Sequence, residues 1–304
     1  MTDVRILASG LGFPEGPVAM ADGSVVLTEI NGGWVTRVGA DGTVTRLGQA
    51  AGGPNGLAMA PEGDLILCNN GGARYIPGHF AGQGPSADYE YGSIERVDPK
   101  TGNRRLLFKA AGDHKLSAPN DIVFDRQGGY WFTDLGKRYA HHRDHGGLYY
   151  VAPGAAEVTV VAYPFLAPNG VGLSPDERTV YVAETETGRL WAFDVESPGV
   201  IRKAASGAPH GGRLLGSVPG YARFDSLAVL ASGNIAVATL GIGTISVFGP
   251  DGLVRYVEKM PCTYPTNICF GGADMRTAWV TLSGTGELAV MRWPEAGLKL
   301  NFQQ

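Results

Sequence analysis

Short apolar runs alternate along the chain with turns rich in Gly and Asp, and this alternation recurs six times. Each copy opens with a polar residue flanked by Pro or Gly, continues as an apolar strand, turns, and returns as a second alternating strand. Turns such as ADG, PEG and ASG are typical of β-hairpins. The copies occupy residues 13–30, 53–70, 118–135, 167–185, 223–240 and 264–282.

A third strand follows most copies and a fourth follows several. Third strands include WVTRVG, SIERVD and GLYYVA, and fourth strands include TVTRLG and EVTVVA. A unit of this kind cannot bury both of its faces alone, so repeated units pack around a common axis. The pattern therefore predicts an all-β fold, a six-bladed β-propeller of four-stranded antiparallel blades, with residues 1–304 forming a single domain.

The ends of the chain and two long loops complete this prediction. The segment VRILAS (4–9) is expected to close the ring as the outer strand of the last blade, and LKLNF (298–302) competes for that place. Residues 71–91 and 136–146 join the second and third strands of blades two and three. Antiparallel geometry places both loops on the face where the first strands begin, and loops on one face of a rigid scaffold often build the functional site.

Composition and charge narrow the class of protein. The 46 glycines and 19 prolines among 304 residues argue against helices, where both residues are costly. A net charge of −4 argues against a nucleic-acid partner, and we find neither a signal peptide nor a long apolar run for a membrane span. Three cysteines (Cys68, Cys262 and Cys269) predict reduced thiols in a cytoplasmic protein, a Cys262–Cys269 pair being the alternative. A monomer or weak homo-oligomer is expected.

The polar residue that opens each copy is always a carboxylate or a carboxamide. We call these six residues the axial ring: Glu15, Asn55, Asn120, Asn169, Asp225 and Asn267. The first strand of a blade is the innermost, so the ring should surround the axis at one mouth of the channel. For any single copy, a turn role is the better explanation of the residue. The presence of such a residue in all six copies favours a common site on which the six side chains converge.

The axial ring has the chemistry of a cation site. Glu15 and Asp225 would repel each other on the axis unless a positive ion lay between them. The donors are all oxygen, which favours Ca²⁺, then Mg²⁺ or Mn²⁺. Zn²⁺ is possible, although a dedicated zinc site would contain nitrogen or sulfur.

A second set of polar residues lies about 14 positions later, where the second strand ends. We call it the strand-end set: Glu29, Asn69, Asp134, Glu184, Thr239 and Thr281. One hypothesis is that these residues orient the axial ring. The other is that Glu29, Asp134 or Glu184 contacts substrate or assists proton transfer.

These motifs resemble those of the senescence marker protein/gluconolactonase/luciferin-regenerating-enzyme family. The matching segments are FPEGP (13–17), PND (119–121) with GYWFTD (129–134), PNG (168–170) and FDSL (224–227). The resemblance implies a six-bladed propeller with a divalent metal in the axial channel, in a family that includes many lactonases. It implies that Glu15, Asn169 and Asp225 bind the metal, with Asn120 beside it as a ligand or as a contact to substrate or water.

One departure from the family concerns the substrate. Members that act on sugar lactones have an arginine two residues before the asparagine of the PND motif, and this chain has Ala118. The two long loops carry apolar and aromatic residues: Tyr75, Ile76, Phe80, Tyr89, Tyr91 and Tyr139. A less polar lactone or ester is therefore expected, with Asn55, Asn120 and Tyr139 as substrate contacts. The alternative is that the aromatic residues pack as a lid.

The sequence thus leads to the hypothesis of metal-dependent lactone hydrolysis. In it, the metal polarises the carbonyl group, Asp225 takes a proton from water, and Glu15 is mainly a ligand. Asn120 and Asn55 form hydrogen bonds to the substrate or the oxyanion. No Gly-x-Ser-x-Gly motif suggests a serine nucleophile. The alternatives are a non-catalytic interaction propeller, and a propeller enzyme of another type, such as a strictosidine-synthase-like enzyme or a lyase.

Overall fold

Six antiparallel sheets make up the fold in a computed structural model, which describes residues 3–76 and 82–303. None of the described residues lies in a helix. The strands of blade 1 are Pro14–Ala19, Val25–Glu29, Trp34–Val38 and Val44–Gln49. Those of blade 2 are Pro54–Met59, Leu65–Asn69, Ser93–Val97 and Arg104–Phe108. Those of blade 3 are Pro119–Phe124, Tyr130–Asp134, Gly146–Val151 and Thr159–Phe165.

The second half of the ring follows the same plan, with one additional strand. Blade 4 contains Pro168–Leu173, Thr179–Glu184 and Arg189–Ser197, and its third strand pairs with both Val200–Arg202 and Arg213–Ser217. Blade 5 contains Arg223–Val229, Ile235–Leu240, Thr244–Phe248 and Val254–Lys259. Blade 6 contains Pro265–Gly271, Thr277–Leu282, Glu287–Arg292 and Arg5–Ser9. A short hairpin, Ala110–Ala111 with His114–Lys115, follows blade 2.

The six sheets form a closed ring. The first strand of each blade contacts the first strand of the next, and that of blade 6 contacts that of blade 1. Arg5–Ser9 pairs antiparallel with Glu287–Arg292, so strands from both ends of the chain share one sheet. The predicted six-bladed propeller and its closure by the N-terminal strand are confirmed. Within the described ranges, no helix is long and apolar enough to cross a bilayer.

Alternating apolar residues account for the packing between blades. The inner strands send one set of side chains towards each neighbouring blade, so both of their faces are buried, whereas outer strands such as Val44–Gln49 and Val254–Lys259 are largely exposed. Between blades 5 and 6, for example, Ile245, Phe270 and Trp293 belong to one buried cluster. Burial of such a side chain contributes about 1.5–3 kcal/mol. The three cysteines are free and buried, as the sequence predicted.

The C-terminal segment covers the end of the channel away from the axial ring. Leu298 donates its backbone N–H to the carbonyl of Val229 at 3.0 Å. Asn301 reaches the carbonyl of Phe124, and Gln303 reaches that of Phe270, at 3.1 and 2.7 Å. The segment 298–302 is therefore not a blade strand, but ties the inner ends of three blades together.

Glycines beside the axial ring allow neighbouring inner strands to approach closely. A Cβ atom at Gly56 would lie 2.4 Å from the carbonyl oxygen of Asn120, and one at Gly170 would lie 2.5 Å from the backbone nitrogen of Leu227. Gly16 has a positive φ of 51° as well. Glycine is thus required at Gly56 and Gly170 mainly because the backbone of the next blade leaves no space for a Cβ atom.

We expect Gly56→Ala to destabilise the protein by about 2–3 kcal/mol, because the added methyl group meets rigid backbone of blade 3. Urea unfolding measures the change. Gly154→Ala is the control: Gly154 has a φ of 68° and no atom within 4 Å of its added Cβ, so only backbone strain of about 1 kcal/mol is expected. Equal losses for the two variants would contradict this account.

Candidate active site

A cavity of about 190 Å³ opens at the mouth where the inner strands begin. Five members of the axial ring line it: Glu15, Asn55, Asn120, Asn169 and Asp225. All five are buried, with no more than 8% of their surface exposed. The ring therefore converges as the repeat predicted, and the strand starts of five blades supply it.

Asn267, the sixth member of the axial ring, forms a hydrogen bond to Glu15, the first member. Asn267 donates its side-chain amide to Oε2 of Glu15 at 3.1 Å, and the backbone N–H of Gly16 donates to the same oxygen at 3.1 Å. Asn267 does not line the mouth cavity among the described residues, but borders the lower part of the channel. Its position is that of a residue that orients Glu15.

The carboxyl group of Glu15 is buried, and burial disfavours its charged form. Burial raises the pKa of Glu15 from 4.5 to about 7, although hydrogen bonds from Thr266, Asn267 and Gly16 oppose the change. In the described part of the chain, Glu15 forms no ion pair. A buried carboxylate without a cation is costly, so the site favours either a proton or a positive ligand.

Asp225 lines the same cavity and is also a buried carboxyl group. Burial raises its pKa well above the usual value, and the charges of Glu15 and Asp121 raise it further. A hydrogen bond from Asn169 opposes this rise, as does the charge of Arg223. The amide of Asn169 is itself held by Thr185 at 3.2 Å. Asp225 and Asn169 therefore form one connected pair on blades 4 and 5.

Asn55 and Asn120 face the cavity with free amide groups. Neither side chain has a hydrogen-bond partner among the described residues, although 6% or less of each residue is exposed. The amide atoms themselves are open to the cavity and are not sealed within the protein. Their free donors and acceptors suit a ligand, and the small side chain of Ala118 in the same wall leaves room for one.

Asp121 is a third channel carboxylate that the sequence analysis did not single out. One oxygen accepts a hydrogen bond from the backbone N–H of Ile122 at 3.0 Å, and the other accepts from Val171 on blade 4 at 3.3 Å. Burial raises its pKa to about 7, and the charge of Glu15 adds to this. The available signal was that the PND motif has Asp where the two PNG copies have Gly.

The chemistry of these residues fits a hard cation. Glu15, Asp121 and Asp225 bring three buried carboxyl groups to one channel, and no salt bridge to them occurs within residues 3–76 and 82–303. In the same ranges, no three His, Cys, Asp or Glu side chains are placed to hold a metal by themselves. A cation here would therefore need the amide oxygens of Asn169 or Asn120 beside the carboxylates, which oxygen-preferring ions accept.

The strand-end set holds the backbone that leads into the axial ring. Glu29 accepts the N–H of Gly12 at 2.7 Å, and Asp134 accepts those of Ser117 and Ala118 at 2.7 Å each. Glu184 and Asn69 make the equivalent bonds to Leu166 and Gly53, at 2.7 and 3.0 Å. As far as the described residues show, none of these four lines the cavity. The geometry favours the hypothesis that the set positions the ring.

Two cavity residues have strained backbones at equivalent positions. Phe13 and Ala167 each lie two residues before a ring member, and both have left-handed φ angles, of 56° and 63°. Both line the cavity. Such conformations cost of the order of 1 kcal/mol or more for residues other than Gly, and they often accompany functional sites.

The described parts of the two long loops, residues 71–76, 82–91 and 136–146, contribute to the wall of this mouth as predicted. Lys137 is buried and donates to the carbonyl of Gly72 at 2.8 Å, which joins one loop to the other. Burial lowers its pKa to about 8, although the charges of Asp134 and Asp144 oppose this. Its Nζ lies 4.4 Å from the ring centroid of Tyr89.

The loop aromatics are divided between the cavity and other contacts. Tyr75 lines the cavity, with its ring centroid 5.9 Å from that of Phe13. Tyr139 stacks on His142 at 4.4 Å and is outside the described cavity lining, so its role in substrate binding stays a prediction. Phe80 lies outside the described residues.

Comparison with known proteins places this chain in a family. Residues 13–284 match the model of the SMP-30/gluconolactonase/LRE-like region. The chain belongs to this family. The matched region contains the whole axial ring and both long loops.

Relatives within the family carry lactonase names. The chain is 29% identical over 251 residues to Lactonase drp35 of Staphylococcus haemolyticus, which covers 82% of this chain and 70% of that protein. It is 30% identical over 233 residues to Lactonase drp35 of Staphylococcus saprophyticus, covering 76% and 64%. Among solved structures, a gluconolactonase from Xanthomonas campestris superposes with a TM-score of 0.75 at 26% identity, covering 96% of this chain and 90% of that one.

Another solved structure shares the fold. Regucalcin from Agrobacterium tumefaciens, described as a calcium-binding protein, superposes with a TM-score of 0.77 and covers 100% of this chain and 98% of that one. The identity is 18%, so this likeness concerns the fold alone. The family resemblance drawn from the axial motifs is confirmed by these comparisons.

Proposed function

We propose that the protein hydrolyses a small lactone with the help of a divalent cation, most favourably Ca²⁺, bound at the axial ring. The observation that carries the proposal is the mouth cavity itself. It combines two buried carboxyl groups without ion pairs in the described chain, Glu15 and Asp225, with the amides of the three other ring members that line it. A non-catalytic platform has no need of this convergence.

The enzyme class has support from the comparisons. Relatives named lactonase and gluconolactonase match most of the chain, which confirms the predicted class of enzyme. Dependence on a metal and the roles of individual residues are our proposal, and they rest on the chemistry of the cavity.

Four residues would hold the cation: Glu15, Asn120, Asn169 and Asp225. Their oxygen atoms match the preference of Ca²⁺. When bound, such an ion supplies positive charge that polarises a carbonyl group and offsets the repulsion between carboxylates. Mn²⁺, Mg²⁺ and Zn²⁺ are the other candidates, in an order that the add-back experiment below determines.

The chain's own residues would then move the proton and hold the substrate. A carboxylate oxygen of Asp225 accepts a proton from water, and the water oxygen bonds to the lactone carbonyl carbon. The ring C–O bond breaks, and the ring oxygen takes up the proton, which yields a hydroxy acid. Asn120 and Asn55 donate their free amide N–H groups to the substrate oxygens, where developing negative charge is stabilised.

Removal and return of metal tests the proposal. The purified protein is treated with a chelator, assayed with a panel of γ- and δ-lactones, and assayed again after separate addition of Ca²⁺, Mn²⁺, Mg²⁺ and Zn²⁺. We expect activity to disappear on chelation and to return with Ca²⁺. Activity that survives complete removal of metal would overturn the proposed mechanism. Bound metal without turnover of any lactone or ester would favour a platform or a lyase instead.

We expect Asn55→Ala to weaken substrate binding more than turnover. Its amide faces the cavity and has no protein partner in the described chain, so its loss removes about one hydrogen bond to substrate. KM should rise roughly tenfold, with kcat changed much less and calcium affinity preserved. Asn103→Ala, at an exposed turn on the outer side of the same blade, is the control. A loss of calcium binding in Asn55→Ala would instead make Asn55 a ligand.

A further inference from the structure

One wall of the mouth cavity is cationic. Lys137, Arg138, Arg143 and Arg223 line it. Of the acids near them, Asp134 and Asp144 act on Lys137, and Glu186 lies against Arg143 and Arg223. Nη1 of Arg143 and Nη2 of Arg223 both donate to the same Oε1 of Glu186, at 2.9 and 2.8 Å. Two guanidinium groups therefore share a single carboxylate oxygen, so Arg143, Arg223 and Glu186 together carry one more positive than negative charge.

The guanidinium groups of Arg143 and Arg223 have only some of their N–H groups in hydrogen bonds. The side chains of Arg143 and Arg223 are 17% and 23% exposed. The buried Nε of each has no hydrogen-bond partner among the described residues. Burial lowers the pKa of Arg143, the charge and hydrogen bond of Glu186 oppose this change, and the charges of Arg223 and Arg138 add to it. Crowded, half-buried cations of this kind are stabilised when an anion joins them.

This cationic wall adjoins the proposed catalytic carboxyl group. Arg223 begins the inner strand of blade 5, two residues before Asp225, and its charge lowers the pKa of that residue's carboxyl group. Arg143 belongs to the loop that covers blade 3, and its Nη2 donates to the carbonyl of Leu135 at 2.9 Å. A molecule in the cavity thus meets the axial ring on one side and guanidinium groups on the other.

We propose that the natural substrate is a lactone that carries a carboxylate substituent, which Arg143 and Arg223 bind. Guanidinium groups are the preferred partners of carboxylates because their N–H groups match the two oxygens. The inference rests on the proposed function and replaces the expectation of a less polar lactone. Of the loop residues behind that expectation, Tyr89 and Tyr91 lie against Lys137 and Lys109, whereas Tyr75 lines the cavity.

A matched pair of lactones tests this inference. γ-Butyrolactone and its γ-carboxylate share a ring and differ only in the charged substituent. With the calcium-loaded wild-type protein, we expect kcat/KM to be about tenfold or more higher for the carboxylate. In Arg223→Gln, we expect the ratio of the two kcat/KM values to fall roughly 10- to 100-fold, mainly through KM for the carboxylate.

The use of a ratio separates charge recognition from structural damage. A general disturbance of the site, or of Asp225, lowers both rates and leaves the ratio unchanged. Arg292→Gln, which removes a guanidinium paired with Asp274 on the outside of blade 6, should leave the ratio as in wild type. A wild-type preference for the neutral lactone, or an unchanged ratio in Arg223→Gln, would overturn the inference.

A binding experiment distinguishes this inference from the proposed function. Tetrahydrofuran-2-carboxylate cannot be hydrolysed, and tetrahydrofurfuryl alcohol is its uncharged analogue. Calorimetry should detect saturable binding of the carboxylate, lost in Arg223→Gln, and weaker binding of the alcohol. If no lactone is hydrolysed but this pattern holds, lactone hydrolysis fails and the anion site stands. Equal binding of the two analogues would overturn the anion site, whatever the activity.

An inhibition experiment distinguishes two sources of the bound carboxylate, a substituent of the substrate and the carboxylate that hydrolysis forms. Hydrolysis of any lactone forms a carboxylate, so the cationic wall could instead hold the product of a neutral lactone. In that case 4-hydroxybutyrate would inhibit strongly, the neutral lactone would be preferred, and the proposed substituent would be refuted. Weak inhibition by 4-hydroxybutyrate, together with a preference for the carboxylated lactone, supports the proposal.

Discussion

Asp225→Ala should lose both lactone hydrolysis and calcium binding. Asp225 is one of two carboxyl groups on the mouth cavity that belong to the axial ring, and its amide partner Asn169 lies beside it. The substitution removes a proposed ligand and the proposed base together. We expect kcat/KM to fall about 10³-fold or more, since a general base alone contributes about 10²–10⁴-fold.

Two measurements on the same sample check this prediction. Lactone hydrolysis gives the change in kcat/KM, and titration calorimetry gives calcium affinity. Asp225→Asn separates the roles, because an amide oxygen can still bind a cation but cannot accept the proton. Asp251→Asn, at an exposed turn of the same blade, is the control. Full activity in Asp225→Ala would show that the axial ring has been assigned wrongly.

Glu15→Gln should stabilise the chelated protein and abolish its response to calcium. The pKa of Glu15 is raised from 4.5 to about 7 by burial, so the folded protein holds this proton over a pH range in which the unfolded chain has released it. The resulting stability is fully present below about pH 4.5 and is lost as the pH rises through about 7. Glutamine cannot ionise and avoids that loss.

The expected difference therefore depends on pH in a defined direction. In chelator, Glu15→Gln should unfold at nearly the same temperature as wild type near pH 5. Near pH 8 it should unfold at a higher temperature than wild type. Its free energy of unfolding there should exceed that of wild type by an amount of the order of 3 kcal/mol at most. In excess calcium, wild type should regain stability above pH 7, because the cation replaces the proton as partner of the carboxylate.

Thermal unfolding of both proteins across this pH range, with chelator and with calcium, tests the prediction. Asp41→Asn is a suitable control, because Asp41 is fully exposed at a turn of the same blade and should not change the calcium response. If wild type in chelator becomes more stable relative to Glu15→Gln as the pH rises, Glu15 has a partner that this account lacks. An undiminished calcium response in the variant would exclude Glu15 as a ligand.

The architecture was predictable because each blade repeats a local pattern. Strand alternation, hairpin turns and the polar residue at the start of each inner strand are all properties of short segments. Once six such segments are arranged around an axis, Glu15 and Asp225 must converge although 210 positions separate them in the chain. The closure by Arg5–Ser9 could be predicted for the same reason, since a ring leaves one blade incomplete.

Other features depended on which atoms the closed ring brings together. Asp121 acquires its place because Val171 of the next blade donates to it, and no local pattern shows that bond. The cationic wall is a similar case. Arg143 comes from a loop of blade 3, Glu186 from blade 4 and Arg223 from the start of blade 5, and their sequence spacing has no period.

By itself, then, the sequence determined the six-bladed ring, the five ring residues that line its mouth and the family to which the chain belongs. These follow from residue types repeated at fixed positions within each blade. Tertiary structure alone decided that Asn267 supports Glu15 rather than lining the mouth, and that Tyr139 stacks on His142. It also decided that guanidinium groups share one carboxylate beside Asp225, because charges from separate blades meet only when neighbouring blades pack together.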